Sequence, residues 1–256
     1  MASENALFSK NAITNEIKTT NTIDGLSGQT ISAVYHSVKF NKTLVGYENG
    51  LIIVINEADG KMLNVVDIIN KQLPSELKRV NHFMEFDGIA YVSCDFGIVQ
   101  FNLATMQFGD TYFIGDKGAE IKVKQTALFN GFIYAATNSG IRRAVITNPN
   151  LIDFNQWTTI TAGNWVSVTT FGTDLYAINA AGTIQKYNVG SNSFATSIQL
   201  SQSSSDARST AGYMIVTTLN SVYIYNSQMA LIRQINSNQV QEITPNFTCA
   251  TIIGNI

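Results

Sequence analysis

Lys122 and Lys124 sit two apart at the head of a segment that reads as a β-strand. Side chains alternate along a strand, so both ammonium groups project to one side. With His82 and Arg208 on other strand-like segments, they could form a cationic site for a carboxylate or an acidic sugar. Glu48 and Asp95 occupy two similar tight turns, Tyr47-Glu48-Asn49-Gly50 and Cys94-Asp95-Phe96-Gly97. Two carboxylates can serve general acid–base hydrolysis, but these turns carry no further catalytic signature. Tyr47, Asn49, Phe96, Asn138 and the neighbourhood of Trp165 would share that loop surface. Aromatic residues among short polar ones make recognition surfaces. The alternative is that Tyr47 and Phe96 pack inside. Leu151, Ile152 and Phe154, in the long connection 147–156, with Trp157 just beyond it, could dock a partner domain, or the connection could fold back and bury Phe154 against Trp157.

Other chemistry finds little support. The two histidines, His36 and His82, belong to no H-E-x-x-H or Cys/His metal spacing, so no metal is expected. Gly25-Leu26-Ser27-Gly28-Gln29 misses the second glycine of a nucleophile elbow. Asn56-Glu57-Ala58-Asp59-Gly60 offers oxygen ligands without calcium-loop spacing and reads as a hairpin turn. Phosphate-binding glycine motifs are absent, and no cofactor is expected. Cys94 and Cys249 read as buried thiols rather than a disulfide framework.

The positioning elements must be strands. Only 13% of the 256 residues are charged, which leaves little to solvate helix faces, while 45% are hydrophobic. The net charge of −2 argues against nucleic acid. The longest aliphatic run, Leu51 to Ile55, is far too short to span a membrane. The first residues, Met1 to Asn5, have no basic or apolar signal region.

A repeat runs along the chain. An apolar strand, a pair of strands joined by a tight turn, and a fourth strand recur, with turn residues Gly50, Gly97, Gly140, Gly182 and Ser221. These are 47, 43, 42 and 39 residues apart. Four antiparallel strands at this period are the signature of a β-propeller blade. The spacing predicts a single all-β domain over 1–256 with blades at 31–68, 80–114, 122–160, 165–199 and 207–235. A sixth, split blade would combine 248–256 with 1–23, so that both chain ends close the ring. The innermost strand of each blade would line a central channel. The stretch Ser201 to Asp206 reads as a polar, mobile connection.

Asp24-Gly25-Leu26-Ser27-Gly28-Gln29-Thr30-Ile31-Ser32-Ala33-Val34 with Gly46-Tyr47-Glu48-Asn49-Gly50-Leu51 resembles two-component-regulator-type propeller repeats. The segments 108–114, 140–144 and 148–157 add a closer resemblance to the N-terminal propeller region of PorZ-like proteins of the type IX secretion system. That resemblance implies an exported cell-surface protein with two propellers and a C-terminal sorting domain, working beside the sortase that processes secreted cargo. The chain then reads as a piece of a longer protein whose propeller could have seven blades. The expected function is a non-enzymatic scaffold that binds protein partners of the secretion or sortase complex, an adjacent propeller, or anionic surface glycan. The alternative is the extracytoplasmic sensing propeller of a two-component regulator.

Overall fold

The computed structural model describes residues 2–11, 13–210 and 212–236. The chain divides into two compact units, Met1–Val123 and Lys124–Ile256. The first begins with a hairpin of β1 (Leu7–Lys10) and β2 (Ile17–Thr20). Blade one follows, with β3 (Ile31–Ser37), β4 (Lys42–Tyr47), β5 (Ile52–Asn56) and β6 (Met62–Val65). Blade two comprises β7 (Val80–Phe86), β8 (Ile89–Cys94), β9 (Gly97–Asn102) and β10 (Gln107–Tyr112).

The second unit holds three blades, apart from the first residue of β11. Blade three is β11 (Val123–Phe129), β12 (Phe132–Thr137), β13 (Gly140–Val145) and β14 (Thr158–Thr161). Blade four is β15 (Trp165–Phe171), β16 (Asp174–Asn179), β17 (Thr183–Asn188) and β18 (Ser193–Gln199). Blade five is β19 (Ser204–Ser209), β20 (Tyr213–Thr218), β21 (Ser221–Asn226) and β22 (Leu231–Asn236).

The middle strands of blade one are buried on both faces, which explains the unbroken aliphatic run Leu51 to Ile55. In blade one, Leu44, Ile52 and Val54 join Val80, Phe83, Val92 and Phe101 of blade two in one core. The alternate residues Val45, Tyr47, Ile53 and Ile55 enter a separate core with Leu7 and Leu26. Blades three and four share Phe129, Tyr134, Trp165, Val168 and Tyr187. Blades four and five share Phe171, Ile178, Met214, Val216 and Tyr225.

The repeated turn glycines have a steric reason. Gly97 has φ +150°, and a Cβ there would lie 2.2 Å from the Tyr112 carbonyl oxygen on the neighbouring strand. An asparagine closes strand three in four blades. Asn56, Asn102, Asn188 and Asn226 each accept with Oδ1 from a backbone N–H of the following turn.

The six-bladed expectation is corrected to five. Among the described residues there are five four-stranded blades and one two-stranded hairpin. Regular spacing at the chain ends is met equally by half of a blade and by a short hairpin. The hairpin β1/β2 has four-residue strands that are largely exposed, with Leu7 as the side chain it contributes to the blade-one core. The 248–256 segment, Cys249 included, lies outside the described residues. A second difference concerns 201–206. Ser204 to Asp206 begin β19, and Ser204 and Asp206 are buried rather than part of a loose connection.

Candidate functional site

The inner strands carry a recurrent irregularity that builds the site. The pairing of strand one with strand two slips by a residue at Ser32, Asn81, Val166 and Ser205. Such a bulge re-aims its side chain. Ser32 Oγ donates to the Val80 carbonyl at 2.6 Å, bridging blade one to blade two. Asn81 Nδ2 donates to the Val123 carbonyl at 2.8 Å and to Asp95 Oδ1 at 2.7 Å.

Asp95 is the centre of this cluster. Its side chain is only 4% exposed, and Lys122 Nζ lies 2.6 Å from its Oδ2. Its backbone N–H donates to the Arg79 carbonyl at 3.2 Å. A buried carboxylate must be paired to be tolerated, and here it accepts from both an ammonium and an amide. Lys122 remains 36% exposed, so the carboxylate holds an ammonium that still faces solvent. The preceding turn repeats the device in looser form. Glu48 pairs with Arg79 Nη1, and both side chains are close to half exposed. Arg79 immediately precedes β7 as Lys122 immediately precedes β11. Acid in the turn and base before the next inner strand therefore alternate as Glu48, Arg79, Asp95 and Lys122.

The expected site residues separate into two groups. Asp95 and Lys122 come together, while Glu48 pairs instead with Arg79. Asn49, in the same turn as Glu48, is exposed, and its Oδ1 accepts from Leu51 N–H at 3.0 Å. His82 lies on β7, partly exposed, opposite Ser93. Lys124 is partly exposed on β11. Arg208 belongs to blade five, where its Nε donates to Asp206 Oδ2 at 2.8 Å. Tyr47 and Phe96 are fully buried. Tyr47 Oη accepts from Ser27 N–H at 3.3 Å, and burial raises the pKa of the phenol. Phe96 packs against Phe113 with centroids 6.0 Å apart. Neither ring belongs to a surface. Cys94, beside Asp95, is buried, and burial first, then the Asp95 charge, push its thiol well above the usual range. It is a packed thiol rather than a nucleophile.

The loop 147–156 folds back on itself. Trp157 is buried and its Nε1 donates to the Leu151 carbonyl at 3.0 Å. Leu151 is also buried, whereas Phe154 is half-buried and Ile152 is 56% exposed. Trp165 is buried, with Nε1 donating to the Ala162 carbonyl. The carboxylates of Asn56 to Gly60 are engaged locally, Asp59 with Lys61 and Glu57 with Thr43. Among the described residues no group of three or more His, Cys, Asp or Glu could hold a metal ion. No described helix is long and apolar enough to cross a membrane.

Sequence reasoning missed Arg79 and Asn81. The signal for Arg79 was its place one residue before an apolar strand, matching Lys122. Asn81 had no such signal, because a bulge is a property of strand pairing.

Consecutive four-stranded antiparallel blades of this kind are β-propeller architecture. Residues 1–158 match the family described as the PorZ N-terminal β-propeller domain of the type IX secretion system, and the chain belongs to that family. It is similar in structure to PorZ of the human oral bacterium Porphyromonas gingivalis, an essential surface component of that secretion system. The TM-score is 0.74 at 21% identity, over 91% of this chain and 31% of that one. The chain thus spans about a third of that protein's length. A computationally designed protein, Ika8, matches all of this chain and 77% of its own, with TM-score 0.60 and 11% identity. A chain of the mitotic checkpoint complex matches 81% of this chain and 66% of its own, with TM-score 0.60 and 10% identity. At such identities the likeness is one of fold. No curated protein matches the sequence.

Proposed function

We propose that this chain is a non-enzymatic binding propeller of an extracytoplasmic type IX secretion component, and that it recognises carboxylate groups on a surface glycan or a protein partner. Family membership supports the secretion role. The observation that carries the ligand class is the ammonium of Lys122, held at 2.6 Å by a buried Asp95 yet one-third exposed. A cation fixed in this way loses little side-chain freedom when it meets an anion. Arg79 flanks the same aspartate through its carbonyl and adds a guanidinium suited to planar carboxylates. Partner docking, possible for an adjacent propeller, falls to Ile152 and Phe154 on the self-braced loop, with Leu151 and Trp157 as its internal support.

The test is binding of a fluorescent galacturonate tetramer, with the neutral methyl-ester tetramer as control. The wild-type chain binds the acid form and Lys122→Glu loses at least tenfold in affinity, the worth of a charge-assisted contact at about 1.5–3 kcal/mol. Equal binding of the acid and the ester, or full retention by Lys122→Glu, overturns the assignment.

A further inference from the structure

The two acid–base pairs are built from the same positions but are not equivalent. Asp95 is enclosed and satisfies two donors, so it cannot leave Lys122 without stranding a buried charge. Glu48 is close to half exposed and its carboxylate pairs with Arg79. It can turn into water at little cost, because an exposed pair gains little over the hydrated ions. We propose that Glu48 is an internal competitor: it occupies the Arg79 guanidinium in the empty domain and is displaced by the carboxylate of an incoming ligand. This deepens the carboxylate-binding reading and rests on it.

The geometry favours this division of labour. The Arg79 backbone carbonyl accepts from the Asp95 N–H, and the Lys122 ammonium pairs with the Asp95 carboxylate, so the two basic residues flank one aspartate. A ligand carboxylate can reach the Lys122 ammonium from solvent without disturbing Asp95. To reach the Arg79 Nη1 atom it must take the place that Glu48 holds. Glu48 thereby sets a threshold. A lone weak anion does not repay its displacement, whereas a ligand that already engages Lys122 does. The domain would then favour ligands with adjacent carboxylates over scattered single charges.

The experiment uses the same galacturonate tetramer with four forms of the chain. Glu48→Gln binds about two- to fivefold more tightly than wild type, the range for removing one exposed ion-pair competitor. Arg79→Ala binds about tenfold more weakly, as expected for loss of a charge-assisted bond. Glu48→Gln in the Arg79→Ala background changes nothing further, because the competitor acts only through Arg79. Equal tightening with and without Arg79 shows a general charge effect and overturns the competitor role. If wild type binds and Lys122→Glu does not, but Glu48→Gln leaves affinity unchanged or weakens it, the competitor role falls while the carboxylate reading stands. If neither wild type nor Glu48→Gln binds the tetramer, both fall.

Discussion

Asp95→Asn is the most informative single change to stability, and Glu48→Gln is its internal control. Both remove one carboxylate charge from a turn facing a cation. They differ in burial, with the Asp95 side chain at 4% exposure and Glu48 at 47%. In the native cluster, Asp95 Oδ1 accepts from Asn81 at 2.7 Å and Oδ2 meets Lys122 at 2.6 Å. An asparagine has one acceptor oxygen for these two donors. If it keeps the Asn81 bond, its own amide N–H groups face the lysine ammonium, and Lys122 must swing into water. Losing a charge-assisted hydrogen bond costs about 1.5–3 kcal/mol. The partial exposure of Lys122 lets it rehydrate and trims the loss to about 2 kcal/mol. For a chain of this size that lowers the thermal midpoint by about 4–8 °C. Glu48→Gln removes an exposed pair worth about 0–1 kcal/mol and lowers the midpoint by less than about 4 °C. Thermal unfolding followed by far-ultraviolet circular dichroism of the strands reads both. A midpoint loss for Glu48→Gln equal to or greater than that for Asp95→Asn would refute the argument that burial separates the two pairs.

Two further outcomes test the architecture around the site. Gly97→Ala places a methyl group against the Tyr112 carbonyl, whereas Gly131→Ala at φ +78° meets nothing within 4 Å. The first therefore costs more than the roughly 1–2 kcal/mol of left-handed backbone strain that the second pays, and urea midpoints will rank them in that order. Alkaline pH should also weaken the fold. Burial raises Tyr225 to about 12 from its usual 10, so its stabilising contribution is full below about pH 10 and is lost as pH climbs through 12. Unfolding midpoints measured from pH 9 to 12 should fall, and Tyr225→Phe should flatten part of that slope.

The blades were legible because a propeller blade is local. Each turn glycine lies between two strands that are neighbours in sequence, and Gly97 shows the steric demand that keeps the position small. The aliphatic run Leu51 to Ile55 was recognisable as strand. Its alternate residues enter different cores, so no polar–apolar alternation could show which side faced out. For the same reason Tyr47 and Phe96 could not be placed from their turn setting. Blade count was harder, because regular spacing at the chain ends does not distinguish half of a blade from a short hairpin.

The β-propeller class, the position of the turns and the acids that occupy them can all be read from the residues alone. Short-range steric and hydrogen-bonding rules act between near neighbours, and the repeat displays them several times over. Tertiary structure decided that Asp95 is buried while Glu48 is not, that Arg79 and Asn81 belong to the cluster, and that five blades form among the described residues. Those outcomes depend on how one blade stacks on the next. Glu48 and Arg79 are 31 positions apart, and their pairing exists only once the adjacent blades have packed.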